Sequence, residues 1–118
     1  MILALQTNIP GDLHAWLVDG SHVRHSQRRV EYHGSEKVLQ LLHQLLTRSR
    51  SPVQQIVVVR GPGRFTAVRT GLVVANTLGW LWQVPVSGLV TSELLQSNEI
   101  RHVKKPGTKN LVRPWYGS

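Results

Sequence analysis

A chain of 118 residues has the length of one domain and can bury a single modest core. It contains no cysteine, which excludes a disulfide framework and a cysteine-based zinc site. Fourteen Lys and Arg residues against six Asp and Glu give a formal charge of +8, which favours polyanionic partners: nucleic acid, an acidic membrane surface or an acidic protein.

The first third of the sequence predicts three antiparallel strands. Residues 2–7, ILALQT, predict the first strand, and no signal-peptide pattern precedes it. The alternating run LHAWLVDG at residues 13–20 predicts the second, and its Asp19-Gly20 pair is a turn signal. Residues 22–33 predict a long, polar third strand.

A helix and a buried strand are predicted next. Ser35 is the expected N-cap, and Glu36 lies in the first turn, where the helix dipole favours an anion. Apolar residues follow at helical spacing as far as Leu46. The continuous apolar run QQIVVV at residues 54–59 is typical of a strand that is buried on both faces of an α/β sheet.

The remaining chain alternates helix and strand. A glycine loop leads into a helix predicted over residues 66–82, Pro85 opens a short strand, and Thr91 or Ser92 is the expected cap of a third helix. The order β-β-β-α-β-α-β-α predicts an α/β fold: a mixed five-stranded sheet, with three antiparallel strands and then parallel ones, and helices on its faces.

The uncharged stretch between Thr70 and Ser92 is long enough to cross a bilayer. Pro85 would break a spanning helix. We therefore expect a buried helix and a buried strand here, and no membrane partner.

The loop in RGPGRFTAVRTG, residues 60–71, has two interpretations. Gly61 and Gly63 permit a close approach of a ligand, Thr66 is the expected N-cap, and Arg64 adds positive charge beside the helix N-terminus, so an anion-binding loop is chemically reasonable. The glycine spacing fits neither common phosphate-binding motif. A tight strand-to-helix turn is the alternative that we favour.

The helix after this loop carries a stripe of small residues, Gly71, Ala75 and Gly79, on one face. Glycine inside a helix costs about 1 kcal/mol relative to alanine, so the stripe indicates close packing. The neighbour is either the first helix of the same chain or a partner subunit.

Metal and catalytic sites are not predicted. His22 and His25 would lie on opposite faces of a strand, whereas His25 and His33 would share a face but stand far apart. The nucleophile motif G-x-S-x-G is absent from the sequence, and no catalytic residue is assigned.

Three segments resemble the TsaB (YeaZ) family, whose pattern reads ILAIDTS, then GPGSFTGLRIGL, then IPLVGVSSLEAL. Here they are ILALQTN at residues 2–8, GPGRFTAVRTGL at residues 61–72 and VPVSGLVTSELL at residues 84–95. The resemblance covers residues 1–97. It implies a ribonuclease H-like, actin-like domain over those residues, followed by a basic tail at residues 98–118.

The resemblance also implies a function. Such proteins are cytoplasmic, non-catalytic partners in making threonylcarbamoyladenosine at position 37 of tRNA. The chain would form a heterodimer with a TsaD-type catalytic paralogue, which holds the ATP and the metal; this chain alone would bind no cofactor. Self-association when alone, a TsaE-type ATPase and tRNA are further expected partners.

The expected dimer interface follows from the two helices through which family members pair. Its residues are Leu41, Leu42, Leu45, Arg69, Gly71, Leu72, Ala75, Leu78, Gly79 and Trp82. Rival hypotheses are a small stand-alone basic RNA-binding module and an ATP-binding fragment.

The sequence departs from the family pattern at informative positions. Gln6 replaces the acidic residue that would serve metal-bound phosphates, and Asn8 replaces a serine. Arg64 and Ala67 replace a serine and a glycine in the loop motif. The chain is also shorter than a typical member, which carries a second domain.

Overall fold

A computed structural model describes residues 1–30, 34–47, 49, 51–105 and 112–113. The described residues form eight secondary-structure elements in the predicted order, so the predicted succession of strands and helices is confirmed. They are β1 (Ile2–Gln6), β2 (Asp12–Asp19), β3 (His22–Arg29), α1 (Ser35–Leu46), β4 (Gln55–Val59), α2 (Phe65–Trp82), β5 (Val86–Leu89) and α3 (Ser97–Arg101).

The strands form one five-stranded sheet in the order β3-β2-β1-β4-β5. The pairs β1–β2 and β2–β3 are antiparallel, whereas β1–β4 and β4–β5 are parallel. The predicted mixed sheet is therefore confirmed. The length of each connection explains the strand directions. A two-residue turn can join only antiparallel strands, as between β2 and β3, whereas parallel strands need a longer crossover such as the helix α2 between β4 and β5.

The two faces of the sheet bury different sets of side chains. On one face, Leu3, Leu13 and Ile56 pack beneath α1 and α2 in the larger core. On the other face, Trp16 and Val57 join Ile100 of α3 in a smaller core. Alternation along each strand produces this division, and β4 is buried at every position because both faces are covered.

Helix boundaries differ from the predictions in three places. The N-caps of α1 and α2 are Gly34 and Arg64 rather than Ser35 and Thr66, and neither makes a side-chain capping bond. The third helix begins at Ser97, not near residue 92, because Gln96 and Glu99 form a capping box.

The predicted domain boundary after residue 97 falls inside α3. Ile100 of α3 is fully buried in the smaller core, and the division into domain and tail stays a prediction. Of the predicted third strand, residues 22–29 are confirmed and residues 31–33 lie outside the described part.

A late segment of the chain returns to α2. The side-chain amide of Asn76 donates to the carbonyl oxygen of Val112 at 2.9 Å and accepts from its N–H at 3.0 Å. Val112 also packs against the larger core. Most of the predicted basic tail, residues 106–111 and 114–118, lies outside the described residues.

No helix among the described residues is both long and apolar enough to cross a membrane. The uncharged stretch from Thr70 to Ser92 instead contains most of α2 and the whole of β5.

Candidate functional site

Two amide side chains fill the carboxyl end of β1, where the family pattern has an acidic residue. Gln6 is fully buried; its Nε2 donates to the carbonyl of Glu93 at 2.7 Å and to Oδ1 of Asn8 at 3.0 Å, and its Oε1 accepts from the N–H of Leu95 at 2.9 Å. Every hydrogen-bonding group of the Gln6 amide is thereby used within the chain.

Asn8 extends this amide cluster to the glycine loop. Its Nδ2 donates to the carbonyl of Pro62 at 2.7 Å and to that of Thr91 at 2.6 Å. The cluster therefore ties β1 to both the 61–63 loop and the segment after β5. The recorded side-chain hydrogen bonds of Gln6 and Asn8 are all to groups of this chain.

Gly63 permits this close approach. Its φ of +156° favours glycine, and a Cβ at this position would lie 2.8 Å from the Cβ of Asn8. This geometry supports the tight-turn interpretation of the loop, because the loop backbone packs directly against the end of β1.

The residues of the predicted anion-binding loop are only partly brought together. Gly61 is buried, whereas Gly63, Arg64 and Thr66 are exposed around the start of α2. Arg69, one turn further on, places its guanidinium carbon 5.6 Å from the ring centroid of Phe65. Anion binding at this loop stays a prediction.

The stripe of small residues on α2 faces inward, towards the sheet of its own chain. A Cβ at Gly71 would lie 2.6 Å from Oγ1 of Thr7, and one at Gly79 would overlap the side chain of Val86. Ala75 is 1% exposed in the larger core. The stripe lets α2 sit close to the sheet of its own chain.

Other members of the expected interface are also internal. Leu41, Leu42, Leu45 and Leu72 belong to the larger core, and Leu78 packs at its margin. Of the ten residues, only Arg69 and Trp82 are exposed. Pairing with another chain stays a prediction, but these buried leucines are not the surface that would make it.

The exposed apolar surface of α2 lies on its opposite side. We call Phe65, Val73, Trp80 and Leu81 the α2 outer face; they are 51%, 54%, 71% and 58% exposed. The interface predicted from the sequence did not include these four residues, although their position opposite the small-residue stripe was a usable signal. Such a concentration of exposed large side chains on one helix is typical of an interaction surface.

A histidine pair lies on the other face of the sheet. Nδ1 of His14 is 2.8 Å from Nε2 of His25, and the His25 ring stacks on Trp16 with centroids 4.7 Å apart. Burial, and then the neighbouring His25, lower the pKa of His14, which Asp12 partly opposes; burial lowers the pKa of His25. Both rings therefore favour the neutral form.

The described residues contain no group of three metal-ligating side chains, so the histidine pair has no further protein ligand among them. The sequence-based pairing of His25 with His33 cannot be compared, because His33 lies outside the described residues.

Comparison with known proteins shows which family this chain is similar to. Residues 22–110, about three quarters of the chain, match the family described as "TsaD: tRNA N6-adenosine threonylcarbamoyltransferase". The tRNA threonylcarbamoyladenosine biosynthesis protein TsaB of Bacillus subtilis is 34% identical over 67 residues, which are 54% of this chain and 29% of that protein.

Solved structures give the same relationship. YeaZ from Pseudomonas aeruginosa superposes with a TM-score of 0.67 at 26% identity, over 75% of this chain and 42% of that one. A second structure, described as an uncharacterized protein with similarity to peptidase YeaZ from Pseudomonas aeruginosa, has a TM-score of 0.69 at the same identity and coverage. The chain thus spans less than half the length of these relatives.

Proposed function

The chain belongs to the TsaD family of tRNA N6-adenosine threonylcarbamoyltransferases and resembles its TsaB (YeaZ) members, and on that premise we propose that it is a non-catalytic subunit. It pairs with a TsaD-type catalytic paralogue and supports threonylcarbamoylation of tRNA adenosine 37. ATP and metal are held by the paralogue.

The α2 outer face is the observation that carries this proposal. Trp80 is 71% exposed, and the neighbouring Val73 and Leu81 are each more than half exposed. Tryptophan is one of the residues that carry most of the binding energy at subunit interfaces, and leaving large apolar side chains in water is costly. Leu39 of α1, which packs against α2, is also 50% exposed.

The amide cluster supports the non-catalytic part of the proposal. Gln6 presents a neutral amide in place of a carboxylate, and its donors and acceptor are all satisfied by protein groups. A neutral, fully buried amide whose N–H groups are both engaged is a poor ligand for Mg²⁺ or a phosphate.

The experiment is co-purification with the TsaD-type paralogue of the same cell, using the full chain and a Val73→Glu variant. A carboxylate at the centre of an apolar contact should weaken association about tenfold to a hundredfold. The variant's thermal stability should match that of the wild type, because Val73 is 54% exposed in the isolated chain.

Val90→Glu provides the matched control, since Val90 is 46% exposed but lies outside α2. The control should associate as the wild type does. Normal association of Val73→Glu would overturn the proposed contact. Tight binding of tRNA by the chain alone, insensitive to salt, would favour the stand-alone RNA-binding module instead.

A further inference from the structure

The outer edge of β3 offers a second surface, distant in the sheet from α2. β3 is the terminal strand of the order β3-β2-β1-β4-β5, and among the described residues it pairs only with β2. α1 packs near β3, whereas α2 packs on β4, β1 and β5. What binds this edge is therefore separate from the proposed subunit contact.

The alternation of hydrogen-bonded and non-hydrogen-bonded pairs along the hairpin shows which backbone groups of β3 point away from β2. Gly20 and Ser21 form a two-residue turn, so the closing pair Asp19–His22 is a hydrogen-bonded pair. Val30 N–H donates to the carbonyl of Gly11 at 2.9 Å, which fits the same alternation at the far end.

Alternate residues between these ends direct their N–H and C=O groups away from β2. These residues are Val23, His25, Gln27 and Arg29. All four residues are exposed, and no second strand among the described residues pairs with this edge. An open edge of this length is a ready template for pairing with an extended chain.

The edge is strongly cationic and has a groove beside it. The eight residues of β3 include three arginines and no acidic residue. A groove of about 860 Å³ runs between this strand and the second half of α1, and Arg24, Ser26, Gln44 and Thr47 are among its lining residues. The nearest acidic side chains in register belong to β2, with Asp12 opposite Arg29 and Asp19 opposite His22.

We propose that the β3 edge binds an extended acidic segment of a partner protein, which adds to the sheet as a sixth strand. Main-chain hydrogen bonds supply the affinity and charge complementarity supplies the selection. The arginines alternate between faces, Arg24 and Arg28 on the helix side and Arg29 on the other. Acidic side chains at every second residue of an added strand all lie on one face, where they can meet Arg24 and Arg28.

The test uses a fluorescein-labelled peptide of alternating Glu and Val, with fluorescence anisotropy on the full chain. Binding should weaken as salt is raised from about 50 to 300 mM, since exposed charges are screened within about 10 Å at 0.1 M. A Lys-Val peptide, and a Glu-Val peptide with N-methylated valines, should not bind.

Gln27→Pro is the decisive variant, with Gln27→Ala as its matched control. Proline removes one outward N–H without changing the charge, and an edge strand tolerates it there. Binding should fall about tenfold in Gln27→Pro and stay unchanged in Gln27→Ala.

Three results would overturn the proposal: equal binding by the two Gln27 variants, equal binding of the N-methylated peptide, or displacement of the acidic peptide by single-stranded oligouridine at lower concentration. If Gln27→Pro does not fold, the N-methylated peptide decides the question with the wild-type chain. Because the catalytic paralogue is absent from the assay, a negative result leaves the proposed subunit contact unaffected.

Discussion

Replacing Gln6 by glutamate turns one buried hydrogen-bond donor, the amide nitrogen, into an acceptor oxygen and leaves the shape of the side chain almost unchanged. The carboxylate still accepts from the N–H of Leu95, but it can no longer donate to the carbonyl of Glu93 or to Oδ1 of Asn8. Two acceptors at 2.7 and 3.0 Å would then face a negative charge inside the protein.

The cost follows from those two contacts. An unsatisfied buried polar group costs about 1–3 kcal/mol, so two lost donors cost about 2–6 kcal/mol at neutral pH. Total stability for a domain is only about 5–15 kcal/mol. Protonation of the glutamate restores one donor, so the folded state raises the pKa of this carboxyl above its unfolded value of about 4.3.

A raised pKa fixes the sign of the pH dependence. The loss of unfolding free energy relative to the wild type is smallest below the pKa of this glutamate in the unfolded chain. It grows as pH rises towards the pKa in the folded state, by at most about 1.4 kcal/mol per pH unit. Urea unfolding of Gln6→Glu and wild type at pH 5 and pH 7.5 measures this. Gln27→Glu is the control, since Gln27 is exposed and should show no such gap.

A Gln6→Glu variant as stable as the wild type at pH 7.5 would refute this prediction. It would also fail if the deficit were the same at both pH values, because a charged and a protonated glutamate differ in the donors they supply.

Further outcomes follow from the buried stripe, the histidine pair and the amide cluster. Ala75→Leu should lower the free energy of unfolding by about 1–3 kcal/mol through overpacking, which thermal melts would measure. A variant that stays as stable as the wild type but shows weakened self-association or pairing in the ultracentrifuge would contradict this. Because the folded state lowers the pKa of His14 and His25, the unfolded chain binds more protons below about pH 6.5, so stability should fall with acidification; urea titrations should show a shallower fall in His14→Gln. The purified chain should show no Mg²⁺-dependent ATP hydrolysis, and turnover that survives purification but is lost in Arg69→Ala would count against this.

Local signals were enough to predict the order of strands and helices. The Asp19-Gly20 signal predicted the hairpin, whose two turn residues are Gly20 and Ser21. The continuous run QQIVVV indicated a strand covered on both faces, as β4 is. The start of α3 was harder, because Thr91 and Ser92 look like caps but the Gln96–Glu99 capping box determines it.

The direction in which α2 faces was not predictable from α2 itself. A stripe of small residues fits a neighbouring helix and a neighbouring sheet equally well. The decision rests on Thr7 and Val86, which come from other elements and lie against Gly71 and Gly79. Similarly, the histidine pair depends on the diagonal between β2 and β3, which becomes visible only once the register is known.

The contact between Asn76 and Val112 has a consequence for how this chain tolerates mutation. The Asn76 amide forms hydrogen bonds only with the backbone N–H and C=O of residue 112. Every amino acid except proline has both of these groups. The side chain at position 112 is constrained mainly by the space beside Gly88, whose missing Cβ would lie 2.8 Å from it. Substitutions at position 112 other than proline can therefore keep both hydrogen bonds, whereas loss of the Asn76 amide removes both at once.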